Sequence, residues 1–277
     1  MDSLVSTDWL HRHLDQADVV PVDSSWFMPA SGRNAREEFL RAHIPGARLL
    51  DIDAVSDRQN PSPHMLPTAA EFAQAMGEIG VGSDDRIVVY DNSPLRSAAR
   101  GWFTFRHFGA DKVAVLDGGM QKWLAEGRPV ESGEPRARRA QWSASPRHDD
   151  VIAKAELLAN PAQPVVDARG EARFKGHQPE PRPGIASGHI PGARNLPFEA
   201  LYREDGTLRA PDEIERLFAE AGMPTDAPFA ASCGSGVTAA ALIFAAHLLG
   251  NDHTRLYDGS WAEWGADPAT PKEVAPS

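Results

Sequence analysis

His43-Ile44-Pro45-Gly46-Ala47-Arg48 recurs letter for letter as His189-Ile190-Pro191-Gly192-Ala193-Arg194. The coincidence is not isolated. Val20-Pro21-Val22-Asp23 has a counterpart in Val165-Val166-Asp167, and Asp117-Gly118-Gly119 with Trp123 has one in Asp258-Gly259-Ser260 with Trp264. Landmarks that keep their order and near-constant spacing mean one structural plan written twice. At 277 residues the chain has room for two cores of ordinary size.

Within each copy, short apolar segments alternate with helical patterns. A helix over Ser6 to Leu14 (Asp150 to Ala159 in the second copy) precedes a strand ending at Asp23 (Asp167). After the His-Ile-Pro-Gly turn and a further short apolar segment, a helix is predicted over Thr68 to Ile79 (Pro211 to Ala221). A strand over Ile87 to Tyr90 (Phe229 to Ser232) follows, then a helix over Ser97 to Phe108 (Val237 to Leu249). A last strand runs into Asp117 or Asp258. The alternation predicts an α/β fold: two tandem domains, each a parallel sheet with helices on both faces. Domains are expected over 1–130 and 147–277. Between them, 131–146 is rich in Pro, Gly, Ser and Arg and reads as a linker with solvated arginines.

The single cysteine, Cys233, falls between the predicted strand Phe229 to Ser232 and the predicted helix from Val237. Gly234 and Gly236 let the backbone curl so that N–H groups converge, and the helix start adds its positive end. A thiol there is favoured as the thiolate and is a good nucleophile. A lone cysteine is more often a structural one, but the strand, the glycines and the helix start together outweigh that reading. Other chemistries of strand-to-helix turns lack their residues. A cysteine phosphatase needs an arginine where Ala239 stands, and a serine nucleophile elbow needs glycines where Cys233 and Val237 flank Ser235. No lysine follows to make a nucleotide loop. An uncharged, donor-rich loop around a thiolate suits carrying a group at sulfur. In the first copy the matching position is Asp91, which cannot do this. Chemistry therefore belongs to the second copy, with the first expected to form one wall of the cleft.

A net charge of −11 argues against nucleic acid or an anionic membrane as partner. One cysteine excludes an internal disulfide and a multi-cysteine metal site, and fits a reducing compartment. Residues 1–14 carry charges and histidines rather than an apolar signal segment, and Val237 to Leu249 is too short to span a bilayer. A cytoplasmic monomer is expected.

Cys233-Gly234-Ser235-Gly236-Val237-Thr238, both His-Ile-Pro-Gly turns and Tyr257-Asp258-Gly259-Ser260-Trp261 resemble the rhodanese superfamily of two-domain sulfurtransferases. The loop is similar to that of the 3-mercaptopyruvate sulfurtransferase branch; the thiosulfate branch typically carries Arg-Lys where Gly234-Ser235 stand. The resemblance covers essentially the whole chain and implies two rhodanese-like domains. It makes Cys233 the persulfide-forming nucleophile, with Gly234, Gly236, Val237 and Thr238 around the bound donor. Arg173 and Arg182 match the arginines that hold the donor's carboxylate and keto oxygen, groups that suit a guanidinium fork. Ser235 matches a serine that forms a proton-handling triad with a histidine and an aspartate, here His64 and Asp53. From the residues alone, His64 in its proline-rich loop reads as a solvated histidine. His43, His189, Asp117 and Asp258 belong to the repeated framework and read as structural. Trp102, Trp123, Trp261 and Trp264 read as core.

The resemblance implies sulfur transfer from 3-mercaptopyruvate through a Cys233 persulfide to thioredoxin, another thiol or cyanide, with no metal or organic cofactor. Three alternatives stay open: thiosulfate as donor, a non-catalytic sulfur-carrier or partner-binding module loaded by another enzyme, and, weakest given Ala239, a phosphatase-like role.

Overall fold

The structure is a computed structural model that describes residues 1–275. Its chain divides into two compact units. One comprises Met1–Asp57, Leu66–Arg147 and Arg203–Leu208; the other comprises Arg58–Met65, His148–Tyr202 and Arg209 onward. Each half of the sequence thus lends a short segment to the other half's unit.

The first unit runs β1 (Leu4–Val5), α1 (Thr7–His13), β2 (Val19–Asp23), α2 (Ala35–Arg41) and β3 (Arg48–Leu49). It continues with α3 (Ala69–Ile79), β4 (Arg86–Tyr90), α4 (Ala98–His107), β5 (Val113–Leu116) and α5 (Gly119–Ala125). The five strands are parallel, in the order β1-β5-β4-β2-β3. Central β2 is buried at every residue, and β4 at all but its first, as expected of strands covered on both faces. Helix α3 starts at a reciprocal Thr68–Glu71 capping box and stops at Gly80, whose φ of +78° ends the helix in the left-handed region.

The second unit runs α6 (Lys154–Ala159), β6 (Val165–Asp167), α7 (Glu171–Phe174), β7 (Arg194–Asn195) and α8 (Pro211–Glu220). It closes with β8 (Ala230–Ser232), α9 (Ala239–Leu248), β9 (Arg255–Leu256) and α10 (Ser260–Trp264). Its parallel sheet has the order β7-β6-β8-β9. This is the first unit's order with the outermost strand reduced to a bridge, Val151 beside Leu256. That bridge shortens the helix expected over Asp150 to Ala159. Ile152 donates its N–H to the Leu256 carbonyl at 2.9 Å, so helical backbone begins only after extended Ala153.

The letter-for-letter repeat has a structural cause. In both units the His-Ile-Pro-Gly turn is held by a glutamate on a returning segment. His43 exchanges backbone bonds with Glu131, and His189 does the same with Glu273. The glutamate side chains also accept the N–H of Gly46 at 3.0 Å and of Gly192 at 3.1 Å. Both glycines have φ of +75°, a left-handed conformation that favours glycine. The imidazoles bond backbone carbonyls, Phe39 for His43 and Phe174 for His189, each at 2.8 Å, and stack on the same phenylalanine rings. Trp102, Trp123, Trp261 and Trp264 are all buried.

The stretch 131–146 is less of a free connector than its composition suggests. Arg138 forms two 2.6 Å bonds to buried Asp85, and Trp142 is buried against Phe72 and Phe105. A guanidinium and an indole here found partners on the first unit that local composition does not disclose.

Candidate active site around Cys233

Strand β8 ends at Ser232, and Cys233 follows with 2 % of its surface exposed. Helix α9 begins at Ala239, so Val237 and Thr238, expected as its first turn, belong to the loop. The curl turns at Gly236, with φ of +76°. Val237 is buried, while Gly234 and Thr238 are partly open.

The side chain of Ser260 fastens the loop backbone. The hydroxyl of Ser260 accepts the N–H of Cys233 and of Gly236, both at 3.1 Å, and donates to the Tyr257 carbonyl at 2.8 Å. Ser260 is fully buried and has φ of +50°, a costly conformation for a residue with a side chain. The start of α10 adds two bonds, Trp261 N–H to the Cys233 carbonyl and Ala262 N–H to the Gly234 carbonyl, each at 2.9 Å.

The first unit builds the same turn around a carboxylate. Met120 N–H bonds the Asp91 carbonyl at 2.9 Å, as Trp261 does to Cys233. The Asp91 side chain then accepts the N–H groups of Ser93 at 2.8 Å and Ala98 at 2.7 Å, the latter opening α4. Burial pushes its carboxyl above the usual range, and those two backbone bonds oppose the shift. A carboxyl group occupies the curl that in the second unit carries a thiol.

His64 and Ser235 come together. Their Nδ1 and Oγ are 2.9 Å apart, and both residues are buried. The solvated histidine suggested by the residues alone is therefore corrected: the segment 58–65 packs into the second unit and encloses the ring. His64 holds φ of +62°, strain that persists only where surroundings fix it. Asp53 lies in the first unit, where its carboxylate accepts the Trp26 indole N–H at 3.0 and 3.1 Å.

Arg173, near the end of α7, reaches the loop. A Cβ placed on Gly234 would lie 3.1 Å from Arg173 Nη2, so the guanidinium rests where a larger residue's side chain would be. It is aimed by Glu180, which is 3 % exposed and accepts Arg173 Nη2 at 2.6 Å and Arg169 Nη1 at 2.8 Å. Arg169 is itself buried. It bonds Asp167 with Nε and Nη2, bonds the Gly188 carbonyl at 2.8 Å, and lies 4.7 Å from the Trp261 ring centroid. Arg182 sits half-buried two residues beyond Glu180.

Ser260, Arg169 and Glu180 were not singled out from the sequence. Two of them stand where the copies diverge: Ser260 replaces Gly119, and Arg169 replaces Ser25. Departures from the repeat, read as a set, would have exposed both.

A tandem pair of parallel α/β units, one with a buried cysteine on a strand-to-helix curl and the other with an aspartate in the same turn, defines a cysteine-based group-transfer class. The chain belongs to the rhodanese family: its Rhodanese-like domain matches residues 6–126 and 152–267. It is 42% identical over 274 residues to the 3-mercaptopyruvate sulfurtransferase of Mus musculus, covering 95% of this chain and 91% of that one. It is 39% identical over 300 residues to thiosulfate/3-mercaptopyruvate sulfurtransferase 1, mitochondrial, of Arabidopsis thaliana, covering 100% of this chain and 79% of that one. Among solved structures, SseA from Escherichia coli, described as a 3-mercaptopyruvate sulfotransferase, superposes with a TM-score of 0.86 at 38% identity, covering 94% of this chain and 99% of that one. Among the described residues, no helix is long and apolar enough to cross a membrane.

Proposed function

We propose that the protein is a 3-mercaptopyruvate sulfurtransferase that carries sulfur on Cys233. The observation behind the choice of donor is the packing of Arg173 against bare Gly234. A guanidinium is thereby delivered to an otherwise uncharged loop, which suits a planar α-keto carboxylate. In the resembling thiosulfate branch an arginine side chain stands where Gly234 leaves room, and it would contend with Arg173 for the same space.

The Cys233 thiolate attacks the donor's sulfur. A sulfur–sulfur bond forms as the donor's carbon–sulfur bond breaks. The released electron pair moves into the enolate of pyruvate, whose charge Arg173 and Arg182 balance, and protonation gives pyruvate. The Ser235–His64 pair relays the proton of the donor's thiol. An acceptor nucleophile (thioredoxin, a small thiol or cyanide) then takes the outer sulfur and restores Cys233. The single free thiol suits the reducing cytoplasm, where we place the reaction.

Side-by-side kcat/KM values for 3-mercaptopyruvate and thiosulfate test the reading, with Cys233→Ser as control. The expected result is a preference for mercaptopyruvate of about tenfold or more, or about 1.4 kcal/mol in the transition state. The variant should lose turnover and gain no sulfur mass. Preference for thiosulfate would overturn the donor, and full turnover in Cys233→Ser would overturn the chemistry.

A further inference from the structure

The first unit contains a cavity of about 430 Å³ enclosed by α2, β3, α3 and the segment 134–138. Its volume lies in the range of sites for small organic molecules. Phe39, Leu49, Val55 and Ile79 form an apolar part of its wall, and six charged residues, Arg36, Arg48, Asp51, Glu78, Glu134 and Arg138, line much of the rest. Of these charged residues Arg48 is the buried one, with only 9 % of its surface exposed.

A guanidinium buried to that degree normally has a carboxylate for a partner. Arg48 has none. Nη1 donates to the Arg136 carbonyl at 2.6 Å, and buried Nε has no hydrogen-bond partner among the described residues. The nearby acids are engaged elsewhere. Asp85 is held by both terminal nitrogens of Arg138, and Glu134 is paired with Arg36. Asp51 accepts the N–H groups of Asp53 and Ala54, and exposed Glu78 accepts from Gln74. Burial, and then the nearby Arg138 as a second positive centre, lower Arg48 from the usual guanidinium range, with Asp85 opposing them in part. The counterpart in the second unit, Arg194, is exposed, so the repeat does not require a buried cation at this place.

We infer that this cavity is a binding site, separate from the Cys233 loop, for a small aliphatic carboxylate. The carboxylate pairs with Arg48, and the alkyl body lies against Phe39, Leu49, Val55 and Ile79. Charge selects one end of the ligand and the apolar wall the other. The site needs no change in the sulfurtransferase machinery, because none of its residues belongs to the Cys233 loop.

Titration calorimetry of the intact protein with hexanoate, and with 1-hexanol as the uncharged counterpart, tests this. Hexanoate is expected to bind and raise Tm, with 1-hexanol weaker by about tenfold or more. Arg48→Met should weaken hexanoate by a similar factor while keeping wild-type turnover, which shows that the variant folds. Ala75→Leu, which fills the cavity and leaves Arg48 in place, should also lose binding. Equal binding of hexanoate and 1-hexanol, undiminished binding in Arg48→Met, or no hexanoate binding at millimolar concentration would overturn the site. Inorganic phosphate binding through Arg48 without hexanoate binding would overturn the aliphatic ligand class.

Discussion

The Arg173 guanidinium packs against bare Gly234: a Cβ on residue 234 would stand 3.1 Å from Nη2 of Arg173. Backbone strain is not the reason for glycine here, since Gly234 is not among the residues with positive φ. The reason is the neighbour. Arg173 is anchored at 2.6 Å to Glu180, which is buried and shared with Arg169, so the guanidinium has little freedom to step aside.

Gly234→Ala is therefore expected to displace the guanidinium by a few tenths of an ångström without unfolding the unit. Its effect should fall on the α-keto carboxylate: KM for 3-mercaptopyruvate rises about three- to tenfold, with stability changed by less than ~1 kcal/mol. Steady-state kinetics with a thermal melt checks both numbers. An unchanged KM would separate Arg173 from donor binding.

Ser260→Ala removes the one hydroxyl that accepts the N–H groups of Cys233 and Gly236. Two buried donors lose their partner, at about 1–3 kcal/mol each when no water replaces it. The curl that presents the thiol loosens as well. The variant should fall in stability by about 2–4 kcal/mol and in the rate of persulfide formation by about tenfold or more. Rapid-mixing mass measurement of sulfur loading reads the second quantity. Loading at the wild-type rate would show that α10's backbone bonds suffice to hold the loop.

Asp23 predicts a pH dependence in the first unit. Burial pushes its carboxyl up to about 7 from 3.8, with the nearby Asp91 adding to the shift and the N–H of Ser25 opposing it. A folded-state value above the unfolded one means that folding favours the protonated acid. That contribution is fully present below pH about 4 and is lost as pH rises through about 7. Asp23→Asn, which keeps an acceptor for Ser25 and cannot ionise, should gain on the wild type by about 2–4 kcal/mol between pH 4 and pH 8. Urea unfolding at the two values gives the comparison. Parallel losses in both proteins would clear Asp23 of the effect.

What the sequence by itself determined is what local pattern can carry. The duplicated turns, the alternation of apolar strands and helices, and the glycine curl after Phe229 to Ser232 are each written in consecutive residues. Strand ends at Asp23 and Asp167 and the Thr68-capped helix are legible for that reason. The identity of Cys233 as the odd residue of the second copy is also a comparison between short matching segments. Tertiary structure decided what depends on residues far apart in the chain. His64 meets Ser235 only because the segment 58–65 packs into the second unit. Ser260 fastens the cysteine loop from the far side of α9 and β9, and Glu180 aims Arg173 while neutralising a buried Arg169. Arg48 repeats the letter of Arg194 yet is buried where Arg194 is exposed. Local sequence sets which backbone is easy to form. Burial and hydrogen bonding across the fold settle which polar side chains find one another, because an unpaired one out of water is costly.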